Sequence, residues 1–352
     1  MKILITGGAG FVGSNLDLAF KQFWPQSKNF ALDNLKRRGS ELNLPRLRAV
    51  GVEFQHGDVR NAEDLDLPAI DLIIECSAEP SVLAGRERGT DYLVHSNFMG
   101  TFHTLEFARR HQSAMIFLST SRVYPVQAIR RLQFKETDTR FVLENFEQEF
   151  GVSQNGISEN FQLEGARTLY GTTKLASELL ITEYVDSYNM PIIINRCGVL
   201  TGPWQMGKVD QGVVVLWMAR HIFGGSLSYL GYNGSGKQVR DLLHVADLAD
   251  LLRLQINDLK AHQGQTYNVG GGQEISVSLR ELTTSCEQIS GNKIKINCEP
   301  AERLGDIPWF ITDTSKVRQV AKWKPQRDVK SILLEIHDWL IQNEEFLRPI
   351  LT

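Results

Sequence analysis

Short apolar runs alternate with longer stretches of helical period through the first two hundred residues. The run Lys2 to Thr6 has the length of a buried strand, and an apolar-periodic helix follows the glycines after it. The runs Asn29 to Leu32, Val52 to Phe54, Asp71 to Ile74, Ala114 to Leu118 and Pro191 to Ile194 repeat the strand signal. Between them, Asp91 to His111 and Leu169 to Ile181 read as helices. Strands alternating with helices predict an α/β protein built on a doubly wound parallel sheet, with ligands outside the carboxyl ends of the strands.

The pattern changes twice. From Pro125 to Gly165 the chain is polar and irregular, long for a connection, and is expected to form a functional flap. Beyond Thr201-Gly202-Pro203-Trp204 the period loosens, which predicts a smaller C-terminal α/β substrate domain. The expected division is residues 1–199 plus 242–265 for the first domain, and 200–241 with 266–352 for the second. Asp247 to Leu259 reads as a helix returning to the first domain, Thr266 to Gly270 as a strand, and Val329 to Asn343 as a closing amphipathic helix.

Composition narrows the partner. Of 352 residues, 42% are hydrophobic and 22% charged, and the net charge of -3 gives no polyelectrolyte signal for nucleic acid or anionic lipid. The partner should therefore occupy a pocket. No apolar run approaches the ~20 residues of a membrane span, and the first residues are too short a run for a signal peptide, so a cytoplasmic protein is expected. Cys76, Cys197, Cys286 and Cys298 are scattered, with no Cys-x-x-Cys pair, so neither a disulfide framework nor a metal site is expected.

Candidate chemistry gathers at the predicted strand ends. Gly7, Gly10 and Gly13, with Phe11 and Val12 between them, join a strand to a helix. Such glycines give a tight turn, close backbone approach to a pyrophosphate and tight helix packing. Asp33, followed by Asn34, ends the second strand about twenty residues later, where a carboxylate bonds ribose hydroxyls and repels a 2'-phosphate. NAD is favoured, although Lys36, Arg37 and Arg38 could receive the phosphate of NADP. Asp58, with Val59, follows the third strand and could meet an adenine amino group. Thr120 ends the fifth. Tyr170 and Lys174 stand four apart on a predicted helix, their Cβ atoms about 5 to 6 Å apart. An ammonium that close should lower a phenol from its ordinary value of about 10, making Tyr170 a base near neutrality.

In this order the features resemble the extended short-chain dehydrogenase/reductase family, the NAD-dependent epimerases and dehydratases, over nearly the whole chain. The resemblance implies a Rossmann domain holding NAD and a second domain holding a nucleotide sugar. It implies Thr120, Tyr170 and Lys174 as the catalytic trio, and Cys76, Ser77, Ala78 and Asn97 beside Tyr170 and Lys174 at the cofactor. Gln211, Arg240 and Arg303, with Thr120, fall to the substrate, the two arginines as diphosphate clamps. Four stretches resemble those members that act on CDP-sugars at C2: Asp33 to Asn43, Phe134 to Arg140, Val209 to Gly212 and Gly236 to Asp241. A 4-epimerase of a UDP- or dTDP-sugar would use the same trio, and a catalytically silent NAD-binding scaffold would keep the fold. Dehydration is disfavoured, because Ser121-Arg122 stand where the family's dehydratases carry Asp-Glu. Glu75 to Pro80 departs from the usual His-x-Ala-Gly type of loop, and Pro125 replaces a common glycine. Outward apolar positions on the Tyr170 and Asp91 helices would suit a homodimer or homotetramer.

Overall fold

The computed structural model describes residues 1–85, 89–207, 211–301 and 305–352. Its centre is a parallel sheet of seven strands: β1 (Lys2–Thr6), β2 (Lys28–Asp33), β3 (Glu53–His56), β4 (Leu72–Glu75), β5 (Ala114–Thr120), β6 (Ile192–Cys197) and β7 (Thr266–Val269). The order is β7-β6-β5-β4-β1-β2-β3. Every residue of β4 and β5 is buried, and a strand covered on both faces reads as a continuous apolar run. The order in which strands are added reverses beside β1, which lies between β2 and β4 with Thr6 opposite Glu75. A crevice at the carboxyl ends follows from that reversal.

Alternation along β1 fixes the two layers. Ile3 and Ile5 pack with Leu16 and Phe20 of α1 (Phe11–Phe23) on one face. Leu4 packs on the other with Leu105 of α2 (Gly100–His111) and Ile181 and Tyr184 of α3 (Leu169–Tyr188). Leu248, Leu251 and Leu252 of α4 (Val245–Asn257) complete the first layer. The helix expected from Asp91 to His111 is interrupted by a π-helical turn at His95–Met99. Such turns often accompany functional sites.

Two segments differ from expectation. The stretch from Pro125 to Gly165 is a packed subdomain rather than an open flap. It holds two small hairpins, Phe134–Glu136 with Phe141–Leu143 and Val152–Ser153 with Gly156–Ile157. Ile129, Leu132, Ile157 and Phe161 bury against Ile307, Trp309 and Phe310. Strands this short carry too few residues to show a period. The stretch from Ser235 to Asp241, whose sequence reads as a glycine-rich loop, ends in a strand: Val239–His244 runs parallel to Val199–Thr201 and Trp309–Phe310 and antiparallel to Ser276–Ser278. Helices Val213–Phe223, Leu279–Ser290 and Val329–Gln342 pack beside this sheet around Trp217, Leu282 and Leu333. Among the described residues no helix is long and apolar enough to cross a membrane.

His244 joins that strand to α4, and its Nδ1 accepts the Ala246 N–H at 3.2 Å. Burial, with Arg327 adding to it, pushes the imidazole down to about 4, while the exposed Glu335 carboxylate lies 3.3 Å from Nε2. The folded chain thus binds fewer protons than the unfolded one between that value and the ordinary ~6.5, so stability falls as pH drops through the window. Unfolding in urea should cost about 2–3 kcal/mol less at pH 4.5 than at pH 7 on this account alone. His244→Asn keeps a cap acceptor and should remove that increment; an unchanged acid limb would contradict it.

Candidate active site

The glycine turn shapes one end of the cleft. Gly7 has φ +65°, and the Gly10 N–H donates to its carbonyl at 3.0 Å. A Cβ at position 13 would lie 2.3 Å from that same oxygen, so only glycine lets α1 start this close to β1. Asp33 is buried at the end of β2; its carboxylate accepts the Ala9 N–H at 3.2 Å and the Leu35 N–H at 2.7 Å. Burial raises its pKa against those bonds. Asp58 is also pulled up by burial, but Arg60 and the Asn34 amide, which donates at 2.8 Å, hold it down at about 2.

A cleft of ≈ 510 Å³ brings together Gly7, Gly10, Phe11, Val12, Gly13, Asp33, Asn34, Arg37, Arg38, Asp58, Val59, Cys76, Ser77 and Ala78. The glycine cradle and the acid at the strand end fit a dinucleotide pyrophosphate and an unphosphorylated ribose. The cations have other partners. Arg37 donates to the Met206 carbonyl at 2.6 Å and to the Gln211 side chain, joining a residue expected at the cofactor to one expected at the substrate. Arg38 donates to the Pro349 carbonyl at 2.7 Å. Asn97, buried in the π-helical turn, reaches the cleft only through the loop after β4. It accepts the Glu79 N–H at 2.7 Å and donates to Thr173 at 3.1 Å, so it fastens the loop after β4 to α3.

A second cavity of ≈ 680 Å³ shares Phe11, Val12, Cys76, Ala78 and Gln211 with the first, and adds Thr120, Tyr170, Lys174 and Arg240. Tyr170 and Thr120, two of the three residues expected to be catalytic, are placed by two local devices. Thr168 caps α3 by accepting the Gly171 N–H at 3.2 Å. A Cβ on Gly171 would sit 2.1 Å from the Arg122 carbonyl, so the helix start lies directly on the turn after β5. In that turn Thr120 accepts the Arg122 N–H at 3.2 Å.

The electrostatics differ from the sequence expectation. Burial pushes the Tyr170 phenol up to about 12, against the Thr120 hydrogen bond and the Arg122 charge. The phenol is therefore protonated at neutral pH in the chain by itself. Lys174 is almost fully buried, with its ammonium 3.8 Å from the centre of the Phe117 ring. Burial pushes its pKa down, opposed first by Glu75 and then by Glu178. Glu75, at the end of β4, accepts the Thr101 hydroxyl at 2.5 Å while burial pushes it up to about 7. Lys174 thus answers to buried carboxylates, and Arg122 is a cation that acts to lower the phenol. Periodicity set Tyr170 and Lys174 on one helical face, but the carboxylate that draws the ammonium comes from a distant strand.

Arg240 pairs with Asp306 at 3.0 Å and donates to the Ile307 carbonyl at 2.8 Å. Arg303, its expected companion, lies outside the described residues, as do Val209 and Asp210. Sequence reasoning used Arg122 only as an argument against dehydration and missed its place in the cavity; a basic residue two positions after the strand-end threonine was the available signal. It also missed the apolar far wall, where Trp217, Leu227, Val277 and Leu282 line the cavity.

Residues 3–270 match the model of the NAD dependent epimerase/dehydratase family. The chain is 30% identical to CDP-paratose 2-epimerase of Salmonella typhi, over 96% of this chain and 99% of that protein. It is 25% identical to dTDP-glucose 4,6-dehydratase of Escherichia coli, over 99% and 95%. Among solved structures, DesIV, a dTDP-glucose 4,6-dehydratase from Streptomyces venezuelae with NAD bound, superposes with a TM-score of 0.80 at 24% identity, covering 99% of this chain and 100% of that one.

Proposed function

This chain belongs to the NAD dependent epimerase/dehydratase family, whose cofactor is NAD, and from that membership we propose that it inverts C2 of CDP-paratose to give CDP-tyvelose through a transient keto sugar. The observation that carries the reading is the end-to-end likeness to CDP-paratose 2-epimerase. The turn after β5 agrees with it: Arg122 meets Tyr170 where dehydration would need an acid and a base.

Gly7, Gly10 and Gly13 would hold the pyrophosphate of the cofactor, Asp33 the adenosine ribose and Lys174 the nicotinamide ribose. NAD, when bound, supplies the acceptor for the carbinol hydride and returns it. Tyr170 removes the hydroxyl proton as the ketone forms and restores it to the same oxygen at the end. Thr120 donates a hydrogen bond to that oxygen. Arg240 holds the diphosphate by charge-assisted bonds while the sugar turns its other face to the cofactor. The substrate is neither oxidised nor reduced overall, and the proton on Tyr170 is likewise conserved over the cycle.

Incubation of the purified protein with CDP-paratose, followed by NMR, should show inversion at C2, with UDP-, GDP- and dTDP-sugars turned over more slowly. Faster inversion at C4 of a UDP- or dTDP-sugar would replace the reading. No turnover of any nucleotide sugar would leave a binding protein.

A further inference from the structure

Arg122 lines the same cavity as Thr120, Tyr170 and Arg240, and the mechanism gives its charge no task. Among the described residues its guanidinium donates to the Gly305 carbonyl at 3.1 Å and forms no ion pair. The titratable groups that act on it are Arg240, Asp306, Tyr170 and Tyr232. Asp306 is already paired to Arg240 at 3.0 Å, so two guanidinium groups share one carboxylate. Among the described residues that arrangement leaves Arg122 without a carboxylate of its own in a partly buried place, and an arriving anion would relieve the charge. Burial and Arg240 pull Arg122 down to about 10, yet it remains a cation at neutral pH.

Position adds to charge. Arg122 stands two positions after Thr120 and lines one cavity with Tyr170 and Arg240, the proposed diphosphate clamp. The guanidinium is a planar fork able to serve two oxygens at once. In a nucleotide sugar the anomeric carbon carries the diphosphate, and C2 is bonded to that carbon. The oxygen on C2 and the phosphate oxygens therefore lie within reach of a single fork, whereas the oxygen on C4 lies across the ring. During inversion the diphosphate and the carbonyl oxygen stay in place while the ring turns.

We propose that Arg122 bridges the substrate's diphosphate and its C2 oxygen, forming the pivot about which the keto sugar turns and selecting the carbinol next to the anomeric carbon. This rests on the C2 reading above. As a contact to the reacting oxygen it is a catalytic residue, and its charge also favours the Tyr170 phenolate.

The test compares wild type, Arg122→Met and Arg122→Lys in kcat, in the pH dependence of kcat/KM, and in the affinity for CDP alone. Arg122→Met should lose about a hundredfold in kcat and about tenfold in CDP affinity, as expected for a charged donor removed from a buried oxyanion. The acid limb of its pH profile should move upward, because Tyr170 loses a cation that acts to lower it. Arg122→Lys should keep the limb and still lose CDP affinity, since it keeps the charge without the fork. Wild-type kcat and CDP affinity in Arg122→Met would overturn the bridge. If that variant fails to fold, wild-type CDP affinity in Arg122→Lys would overturn it instead. Lower yield with an unmoved pH limb would reduce Arg122 to a support of the Gly305 turn, which also overturns the proposal. Wild-type protein that inverts C4 and not C2 would remove the underlying reading; C2 inversion indifferent to Arg122 would remove the bridge alone.

Discussion

Tyr170→Phe is expected to lower turnover by roughly 10³- to 10⁴-fold while NAD stays on the protein. The substitution deletes one oxygen and keeps the ring in its buried place between α3 and the turn after β5. That oxygen is the group on which proton transfer depends, because Thr120 can donate to the carbinol oxygen but has no comparable ability to take its proton. The cofactor cleft is lined by the glycine turn, Asp33 and the loop after β4, none of which the change touches. Loss should therefore fall on kcat, read in single-turnover assays, with cofactor content unchanged after gel filtration. Turnover equal to wild type would sink the assignment of Tyr170. Since burial pushes the phenol up to about 12 in the chain by itself, the rate of wild type should rise with pH on the acid side.

The scaffold of this site was legible because its strands are buried on both faces and its phosphate turn needs glycine. Ile3, Leu4 and Ile5 read as a strand without any tertiary information, and Gly13 can be nothing else where α1 touches the Gly7 carbonyl. Thr120 and Tyr170 followed from strand-end and helix placement. What escaped was set by contacts between distant segments. The Lys174 ammonium lies over Phe117 of β5, and the larger of the carboxylate influences on it comes from Glu75 of β4, which no spacing on α3 encodes. Asn97 was expected near the cofactor, and its buried bonds to Glu79 and Thr173 depend on a π-helical turn that periodicity does not reveal. Arg37 and Gln211, far apart in sequence, meet across the cleft. The stretch from Pro125 to Gly165 looked irregular because its order lies in contacts with distant segments, such as Phe134 with Trp309, not in local pattern.

Glu178→Ala should destabilise the protein by about 3–5 kcal/mol, the cost of stranding a buried charge. Glu178 lies one turn beyond Lys174 on α3, and its carboxylate receives Arg196 of β6 through Nε at 3.1 and 3.0 Å and through Nη2 at 2.7 Å. It also accepts the Ser119 hydroxyl at 2.5 Å. Arg196 in turn donates to the Tyr124 hydroxyl at 3.2 Å, and that hydroxyl donates to Asn268 at 2.7 Å. Both members of the pair are buried, so removing the carboxylate leaves the guanidinium with the Tyr124 oxygen alone among these partners. Urea unfolding of wild type and variant reads the loss directly, and a difference under about 1 kcal/mol would show the pair to be dispensable. The pair as a whole need not stabilise: Glu178→Leu combined with Arg196→Met should recover much of the deficit, since no charge is then stranded. Activity should not recover with it. Ser119 precedes Thr120, and Glu178 fixes the end of β5 against the helix that carries Tyr170, so the double variant should fold with its threonine and tyrosine less firmly aligned and with a lower kcat.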